Sequence, residues 1–378
     1  MDTSLVDFAP TARLALLALL IALLPLSYVW LRQRGASRRA RLAALTTLAL
    51  FLTFDLIVFG SFTRLTDSGL GCPDWPGCYG KASPIGAKSD IHAAEQAMPT
   101  GPVTWSKAWI EMIHRYLAMT VGVLILVMAL VSWLERRQLP HSPWWPTLTL
   151  VWVIVQGLFG KYTVTLKLYP AIVTLHLLGG LLLLALLAIQ HEAYRDRPLV
   201  LAPRLRRLAA VALAVLTVQI TLGGWVSTNY AVLACSDFPL CNGRWVPPMD
   251  FARGFTILRE LGEDARGGLL PFDALVAIHW VHRWFAVLAG GMLLWAGAAL
   301  LRSGGAAARG FGLTLVALTL AQVASGLTNV VLDWPLAAAL AHAAGAAGLV
   351  LALTLLLARS SPRLAGGAAA TVTSAPRG

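Results

Sequence analysis

Three ionisable residues lie within about one helical turn near one end of a long apolar segment: Glu111, His114 and Arg115. Side chains three or four residues apart share one face of a helix. Ionisable groups inside a membrane span are costly and rare, and by default they indicate function. A carboxylate can carry a proton or stabilise charge, and an imidazole can ligate haem iron. The cluster therefore predicts a buried reaction or ligand site.

A related cluster follows 168 residues later as His279-Trp280-Val281-His282-Arg283. The imidazole and guanidinium recur, but His279 stands where the first cluster has Glu111. If both clusters had the same task, the missing carboxylate would be unexplained. The difference favours a division of labour, in which one haem is a permanent cofactor and chemistry takes place on the other. Glu111 is then the candidate catalytic residue, as a proton carrier or charge stabiliser, and a structural ion pair with Arg115 is the alternative.

Four histidines form two related pairs, His114 with His176 and His282 with His342. Each lies roughly 5–9 residues inside its apolar segment, or about 8–13 Å deep at the ~1.5 Å helical rise. Any one of them could be a hydrogen-bonded interior residue. Four at one depth, in two pairs, favour axial haem ligands on facing helices. A site for a bare metal ion is less favoured, since apart from Glu111 no further ligand accompanies either pair.

The composition shows which elements must position these residues. The chain has 378 residues, of which 57% are hydrophobic and 13% charged, and several apolar runs reach the length that spans a bilayer. The sequence predicts an all-α polytopic membrane protein with nine spans, at about 12–32, 41–62, 106–134, 145–166, 171–191, 207–228, 274–301, 310–331 and 336–358.

The basic residues cluster on alternate connections, as the positive-inside rule requires of the cytoplasmic side. The acidic residues Asp2 and Asp7 precede the first span, and arginines follow it. This pattern places the N-terminus in the periplasm and the C-terminus in the cytoplasm of a bacterial inner membrane. Both long loops, 63–105 and 230–273, are then periplasmic. Since the concentration of basic residues on the cytoplasmic side explains the net charge of +12, no nucleic-acid partner is expected.

An internal repeat organises the chain. The motif C-x-D-aromatic-P-x-C occurs at 72–78 and at 235–241, and Gln156-Gly157-Leu158 is echoed by Ala324-Ser325-Gly326-Leu327. The repeat predicts two pseudo-symmetric four-helix transmembrane bundles plus one extra N-terminal transmembrane helix. The corresponding regions are the extra helix with its basic cytoplasmic link (1–40), the N-terminal half with the haem on which chemistry takes place (41–195), a cytoplasmic linker (196–206), the C-terminal half with the permanent haem (207–358) and a flexible tail (359–378).

Each long loop carries a pair of cysteines, Cys72 with Cys78 and Cys235 with Cys241. Disulfides persist in the periplasm, and a ring of this size is geometrically reasonable, so we expect two disulfides. Their expected role is to shape a lid over each haem site, with a redox relay as the alternative. Arg115 and Arg283 each follow a candidate ligand, where a guanidinium suits a haem propionate. Snorkelling of these side chains to the interface is the alternative.

The chain resembles the haem A synthase family over about 41–358. The resemblance rests on the following motifs: Gly60-Ser61-Phe62-Thr63-Arg64-Leu65-Thr66-Asp67-Ser68-Gly69-Leu70, Cys72 to Cys78, Glu111-x-x-His114-Arg115, His176, and the echoes with His282 and His342. It implies eight helices in two halves and oxidation of the C8 methyl group of haem O to a formyl group by successive hydroxylations. The extra N-terminal helix departs from the family pattern.

By position, the resemblance implies that His282 and His342 ligate haem b and that His114 and His176 hold the substrate haem. Glu111 matches the family's important carboxylate. The role of the cysteines stays open, since family members occur with and without them.

The leading hypothesis is therefore haem A synthesis for terminal oxidases. A bis-His di-haem electron-transfer cytochrome b is the runner-up, and a haem carrier is a third alternative. Expected partners are haem O, haem O synthase, an electron donor and membrane lipid, and a homo-oligomer is compatible with the sequence.

Overall fold

The computed structural model describes residues 9–139, 142–195, 197–303 and 305–361. Asp2, Asp7 and the tail beyond 361 lie outside these residues. Within the described ranges the chain forms helices and no β-strand. The α-helices are α1 Ala9–Arg32, α2 Arg38–Leu65, α3 Lys88–Ala97, α4 Trp105–Leu134, α5 Trp144–Thr165, α6 Pro170–Arg195, α7 Pro203–Thr228, α8 Phe251–Gly254, α9 Phe272–Leu301, α10 Ala306–Val331 and α11 Leu336–Arg359. A short 3-10 turn covers Ala231–Leu233.

Nine helices in the described part of the chain are long and apolar enough to cross a membrane. Each corresponds to one predicted span, so the prediction of an all-α polytopic membrane protein is confirmed. The helices extend beyond the predicted apolar limits because backbone hydrogen bonding continues into the polar interface. For example, α2 begins where the Ala40 N–H donates to the Ser37 hydroxyl at 3.2 Å. The pairing of the spans into two pseudo-symmetric four-helix bundles stays a prediction.

Hydroxyl groups inside the spans bond back to the helix that carries them. Thr46 and Thr53 of α2 donate to the carbonyl oxygens of Leu42 and Ala49, at 2.8 and 2.7 Å. Thr319 of α10 does the same. In lipid there is no water to satisfy such a group, so an internal acceptor removes most of the cost of placing it there.

The chain divides into two compact units, Met1–Leu183 and Leu184–Gly378. In the first, α4 packs against α1, α2 and α5. In the second, α9 packs between α7 and α10, and α11 packs against α7 and α10. The boundary between the units falls inside α6, so the predicted linker at 196–206 stays a prediction.

The extra helix α1 belongs to the first unit. Its side chains Leu14, Ala18 and Ala22 are buried, whereas most of its other apolar residues are exposed. Leu14 joins a buried cluster that also holds the cysteine pair of the first loop, Ile91 of α3 and Met112 of α4. One end of α1 therefore supports the cysteine loop that covers the start of α4.

Candidate functional site

The structure brings the predicted histidine pairs together. His114 of α4 and His176 of α6 are close enough to interact electrostatically in the first unit. His282 of α9 and His342 of α11 do so in the second. All four residues keep partial exposure although they lie in spans. Each unit therefore brings two imidazoles from different spans near each other.

Each imidazole packs against a glycine of the preceding membrane-spanning helix. A methyl group added at Gly60 would lie 2.9 Å from Cε1 of His114, and one at Gly160 would lie 3.6 Å from Cε1 of His176. The missing side chain thus leaves the space that the ring occupies, and close packing fixes the ring orientation.

The same contact recurs in the second unit. An added methyl group at Gly223 would lie 2.9 Å from Cε1 of His282, and one at Gly326 would lie 3.3 Å from Cε1 of His342. The sequence analysis did not predict that these glycines pack against the histidine rings. Gly60 and Gly223 are separated by 163 residues, the same offset that relates the cysteine loops, so the internal repeat could have identified this pair.

The predicted alignment of Gly157 with Gly326 is wrong by three residues. Gly160 is the residue that packs on a histidine, and nothing lies within 4 Å of a methyl group added at Gly157. With the corrected register, Gln156 matches Gln322, and both amides pack against glycines of the next helix. Loop-length differences between the halves conceal this register when only short motifs are compared.

The ring nitrogens fit bis-imidazole ligation of haem iron. Among the described residues, Nδ1 of His282 and Nδ1 of His342 lie within hydrogen-bonding distance of Gln219 and Ser325, so Nε2 is the nitrogen of these rings that would bind iron. Within the same ranges, no three His, Cys, Asp or Glu side chains gather as they would around a bare metal ion. The two imidazoles of each pair, packed against glycines, would be able to hold a haem iron between spans.

The first cysteine loop is held by its own acidic residue. Cys72 and Cys78 are disulfide-bonded, with Cα atoms 4.9 Å apart. The Asp74 carboxylate accepts hydrogen bonds from the backbone N–H groups of Tyr79 and Gly80, at 2.6 and 2.7 Å. Partial burial, together with nearby carboxylates that include Asp74, raises the pKa of Tyr79, so its phenol stays protonated at neutral pH. Asp74 therefore orders the loop backbone.

The second loop repeats this arrangement. Cys235 and Cys241 are disulfide-bonded, with Cα atoms 4.6 Å apart. Asp237 accepts from the N–H groups of Asn242 and Gly243, at 2.5 and 2.9 Å. Both loops thus contain a small covalent ring closed further by an acidic side chain.

Arg115 and Arg283 anchor these loops to the helices. Arg115 donates to the carbonyl oxygens of Asp74 at 2.9 Å, of Pro76 at 3.2 Å, and of Gly77. Arg283 donates to those of Asp237, Leu240 and Cys235, at 2.6, 3.0 and 2.7 Å. From the sequence, these guanidinium groups were predicted to bind haem propionates. In the structure, carbonyl oxygens of the loops accept many of the hydrogen bonds that the two groups can donate.

Glu111 is buried, with 4% of its surface exposed. Its Oε2 accepts from the Cys72 N–H at 2.7 Å, and its Oε1 accepts from Arg115 at 2.5 Å. In the second unit, His279 Nδ1 lies 3.4 Å from the Cys235 backbone nitrogen and Nε2 lies 3.2 Å from Arg283 Nε, and a neutral imidazole accepts a hydrogen bond at one of these two nitrogens. Both residues connect the loop to the arginine, but only Glu111 brings a negative charge.

The chain matches a known protein family. Residues 43–354 match the COX15-CtaA family, described as cytochrome oxidase assembly protein. The chain belongs to the COX15-CtaA family. The predicted family membership is thereby confirmed. The COX15-CtaA match begins inside α2 and ends inside α11, so it includes both histidine pairs and both cysteine loops and leaves α1 outside.

Similar COX15-CtaA proteins carry the name heme A synthase. The protein of that name from Shewanella oneidensis is 37% identical over 84% of this chain and 96% of its own length. Those from Beijerinckia indica subsp. indica and Halalkalibacterium halodurans are 29% and 25% identical, over 78% and 76% of this chain and 85% and 86% of their own lengths.

Proposed function

We propose that this protein is a haem A synthase, which oxidises the C8 methyl group of haem O to a formyl group. Two successive hydroxylations by dioxygen, each using two electrons from an electron donor, give a hydrated aldehyde that loses water: R–CH3 + 2 O2 + 4 e− + 4 H+ → R–CHO + 3 H2O. The observation that carries the proposal is the asymmetry between two otherwise matching histidine pairs, of which only one has a buried carboxylate beside it.

The substrate site is the pair His114 and His176, which hold the iron of haem O in the first unit. Gly60 and Gly160 seat the two rings and so set the orientation of the substrate. The apolar faces of the spans suit the farnesyl chain of haem O, because that chain partitions into lipid. Holding the substrate at fixed ligands supplies the positioning that an inert methyl C–H requires.

The cofactor site is the pair His282 and His342, which ligate a resident haem b. When bound, haem b supplies one-electron redox chemistry to the protein. The chain's part is to hold this group permanently, through the imidazoles and through the glycines Gly223 and Gly326 behind them.

Glu111 supplies a buried carboxyl group three residues before His114 in the same helix. Both of its oxygens already accept hydrogen bonds, from Cys72 and Arg115. Such a carboxylate is better suited to stabilising developing positive charge than to exchanging protons, and in a water-poor interior this effect is strong. Of the two roles that the sequence allowed, we therefore favour charge stabilisation.

Arg115 and Arg283 serve the haem sites through the loops they hold. Each guanidinium joins the helix that carries a ligand histidine to the disulfide loop at the outer end of that helix. The loops then act as lids whose shape depends on the disulfide and on the Asp74 or Asp237 carboxylate. The remaining guanidinium donors are available to a propionate.

The protein resides in the bacterial inner membrane with both cysteine loops in the periplasm. Arg38 at the start of α2 pairs with Glu135 at the end of α4, which places these two ends on one side. That side carries the basic residues expected in the cytoplasm. Alkaline phosphatase fused after Ala97 should be active, and green fluorescent protein fused at the C-terminus should fluoresce. The reverse pattern would contradict this topology.

Haem O synthase, an electron donor and a second copy of the chain are the proposed partners. Haem O is poorly soluble in water, which favours direct delivery from the enzyme that makes it. A di-haem electron-transfer cytochrome would need two equivalent permanent sites, which the Glu111 and His279 difference does not favour.

The test is to express the full chain with haem O synthase in a host that lacks haem A, and to separate the extracted haems by chromatography. Haem A should appear only when this protein is present. Unchanged haem O together with two tightly bound b haems would contradict the proposal.

A further inference from the structure

The second unit fixes the orientation of its ligand imidazoles by hydrogen bonds, and Ser325 gives the clearest case. Its Oγ lies 3.0 Å from Nδ1 of His342 and donates to the carbonyl oxygen of Gln322 at 3.2 Å. Iron at Nε2 requires the ring proton on Nδ1, and the Ser325 hydroxyl can accept from this Nδ1–H while its own proton goes to the carbonyl oxygen. This tautomer keeps the lone pair on Nε2, where iron would bind.

Gln219 has the same relation to the other ligand of this unit. Its amide nitrogen lies 3.1 Å from Nδ1 of His282 and also donates to the His282 carbonyl oxygen at 3.3 Å. The amide Oε1 is buried and has no hydrogen-bond partner among the described residues. Iron at Nε2 requires the ring proton on Nδ1, and a half-turn of the amide then lets Oε1 accept from Nδ1–H in place of the bond to the His282 carbonyl oxygen.

The first unit lacks both of these partners. Nδ1 of His114 and Nδ1 of His176 are buried without a hydrogen bond in the part of the chain that the structure describes. The register of the seating glycines identifies the matching positions. Gln219 precedes Gly223 by four residues, as Leu56 precedes Gly60, and Ser325 precedes Gly326 by one, as Phe159 precedes Gly160. Neither Leu56 nor Phe159 carries a hydrogen-bonding side chain.

We infer that Gln219 and Ser325 are positioning residues that make the His282–His342 pair retain its haem, and that Leu56 and Phe159 leave the His114–His176 pair able to release its haem. A partner on the second ring nitrogen fixes the tautomer and raises ligand basicity, and its removal weakens metal binding about 10–100-fold. A resident cofactor must stay bound, whereas a substrate must leave as product. The inference rests on the proposed function, because only a haem A synthase must retain one haem as cofactor and release the other as product.

The experiment measures retention of haem b by the purified full chain. Ferric protein is mixed with excess apomyoglobin, and transfer of haem is followed by the change in the Soret band. The variants are Ser325→Ala and Gln219→Leu, the latter introducing the residue type found at position 56. Thr314→Val is the matched control, because the Thr314 hydroxyl on the same α10 bonds only to Gly310 of its own helix. Circular dichroism checks that helical content is unchanged.

Haem release should be about 10–100-fold faster in Ser325→Ala and in Gln219→Leu, and equal to wild type in Thr314→Val. The midpoint potential should rise in both variants, because a less basic imidazole stabilises ferric iron less. In the converse variant, Leu56→Gln, haem O held by the first unit should transfer more slowly than in wild type. Wild-type release rates and potentials in both second-unit variants would overturn the inference, as would an unchanged first-unit rate in Leu56→Gln.

Failure of the proposed function gives a different result. If haem b were lost from His114→Ala but kept by His282→Ala, the assignment of the resident site itself would be wrong. If His282→Ala loses haem b while the positioning variants release it at the wild-type rate, the site assignment holds and only the inference fails.

Discussion

Glu111 Oε2 accepts a hydrogen bond from the backbone N–H of Cys72 at 2.7 Å, and this contact ties α4 to the first disulfide loop. His279 makes the corresponding but longer contact with Cys235, at 3.4 Å. The Glu111 carboxylate therefore has two consequences, one for loop position and one for charge. Substitutions at this position can separate them.

Glu111→Gln retains the size of the side chain and removes its charge. Haem A formation should fall about 10–100-fold, because a hydrogen bond to a charged group contributes about 1.5–3 kcal/mol, and haem b should stay bound. Haem extraction from membranes gives both values. Glu192→Gln is the control, since Glu192 is also a buried carboxylate in a span, paired with Arg359 at 3.7 Å near the end of α6. Equal loss of haem b in Glu111→Gln would make Glu111 structural.

Gly60→Ala should impair the substrate site alone, because the new methyl group would lie 2.9 Å from the His114 ring. Overpacking of this kind costs about 1–3 kcal/mol, so we expect a roughly 10–100-fold loss of haem A formation with haem b retained. Gly223→Ala should instead lower haem b content.

Gly122→Ala is the matched control for both glycine variants, since nothing lies within 4 Å of a methyl group added at Gly122 of α4. In a helix interior, alanine without a clash is favoured over glycine by roughly 0.5–1 kcal/mol. Loss of haem in this control as well would contradict a specific role for the contacts of Gly60 and Gly223 with the histidine rings.

The double variant Cys72→Ala with Cys78→Ala should lower thermal stability but keep haem A formation above half of the wild-type value. Asp74 and Arg115 still hold the loop, and closing so short a ring contributes about 2–3 kcal/mol in the chain-entropy model. The melting temperature and the haem profile give the two quantities. Complete loss of haem A with unchanged stability and haem b content would instead support a redox relay.

Leu14→Ala should destabilise the first unit by about 2 kcal/mol, because Leu14 is 1% exposed and packs under the cysteine loop. Haem A formation should fall while haem b stays bound in the second unit. Leu24→Ala, at a residue that is 75% exposed, serves as the control within α1. Identical behaviour of the two variants would argue against a supporting role for α1.

The sequence predicted the nine spans because each is marked by a long apolar run, and it predicted the histidine pairs because ionisable groups stand out within such runs. It did not reveal that Arg115 and Arg283 hold loop carbonyls, since backbone acceptors carry no signature in the sequence. The sequence analysis also did not predict the glycines that pack against the histidine rings, or the contacts of Gln219 and Ser325 with the ring nitrogens of His282 and His342. A glycine in a membrane helix is common, and only the contact with a ring distinguishes Gly60 from Gly122. The short helices α3 and α8 lie in polar loops, where no apolar periodicity marks them.

The central claim is that one chain holds a substrate haem at His114 and His176 and a resident haem at His282 and His342. The most direct measurement is the identity and amount of haem bound to purified His176→Ala and His342→Ala, each expressed with haem O synthase. His176→Ala should keep haem b and yield no haem A, and His342→Ala should lose haem b. Loss of the same haem in both variants, or continued haem A formation in His176→Ala, would contradict the division of labour.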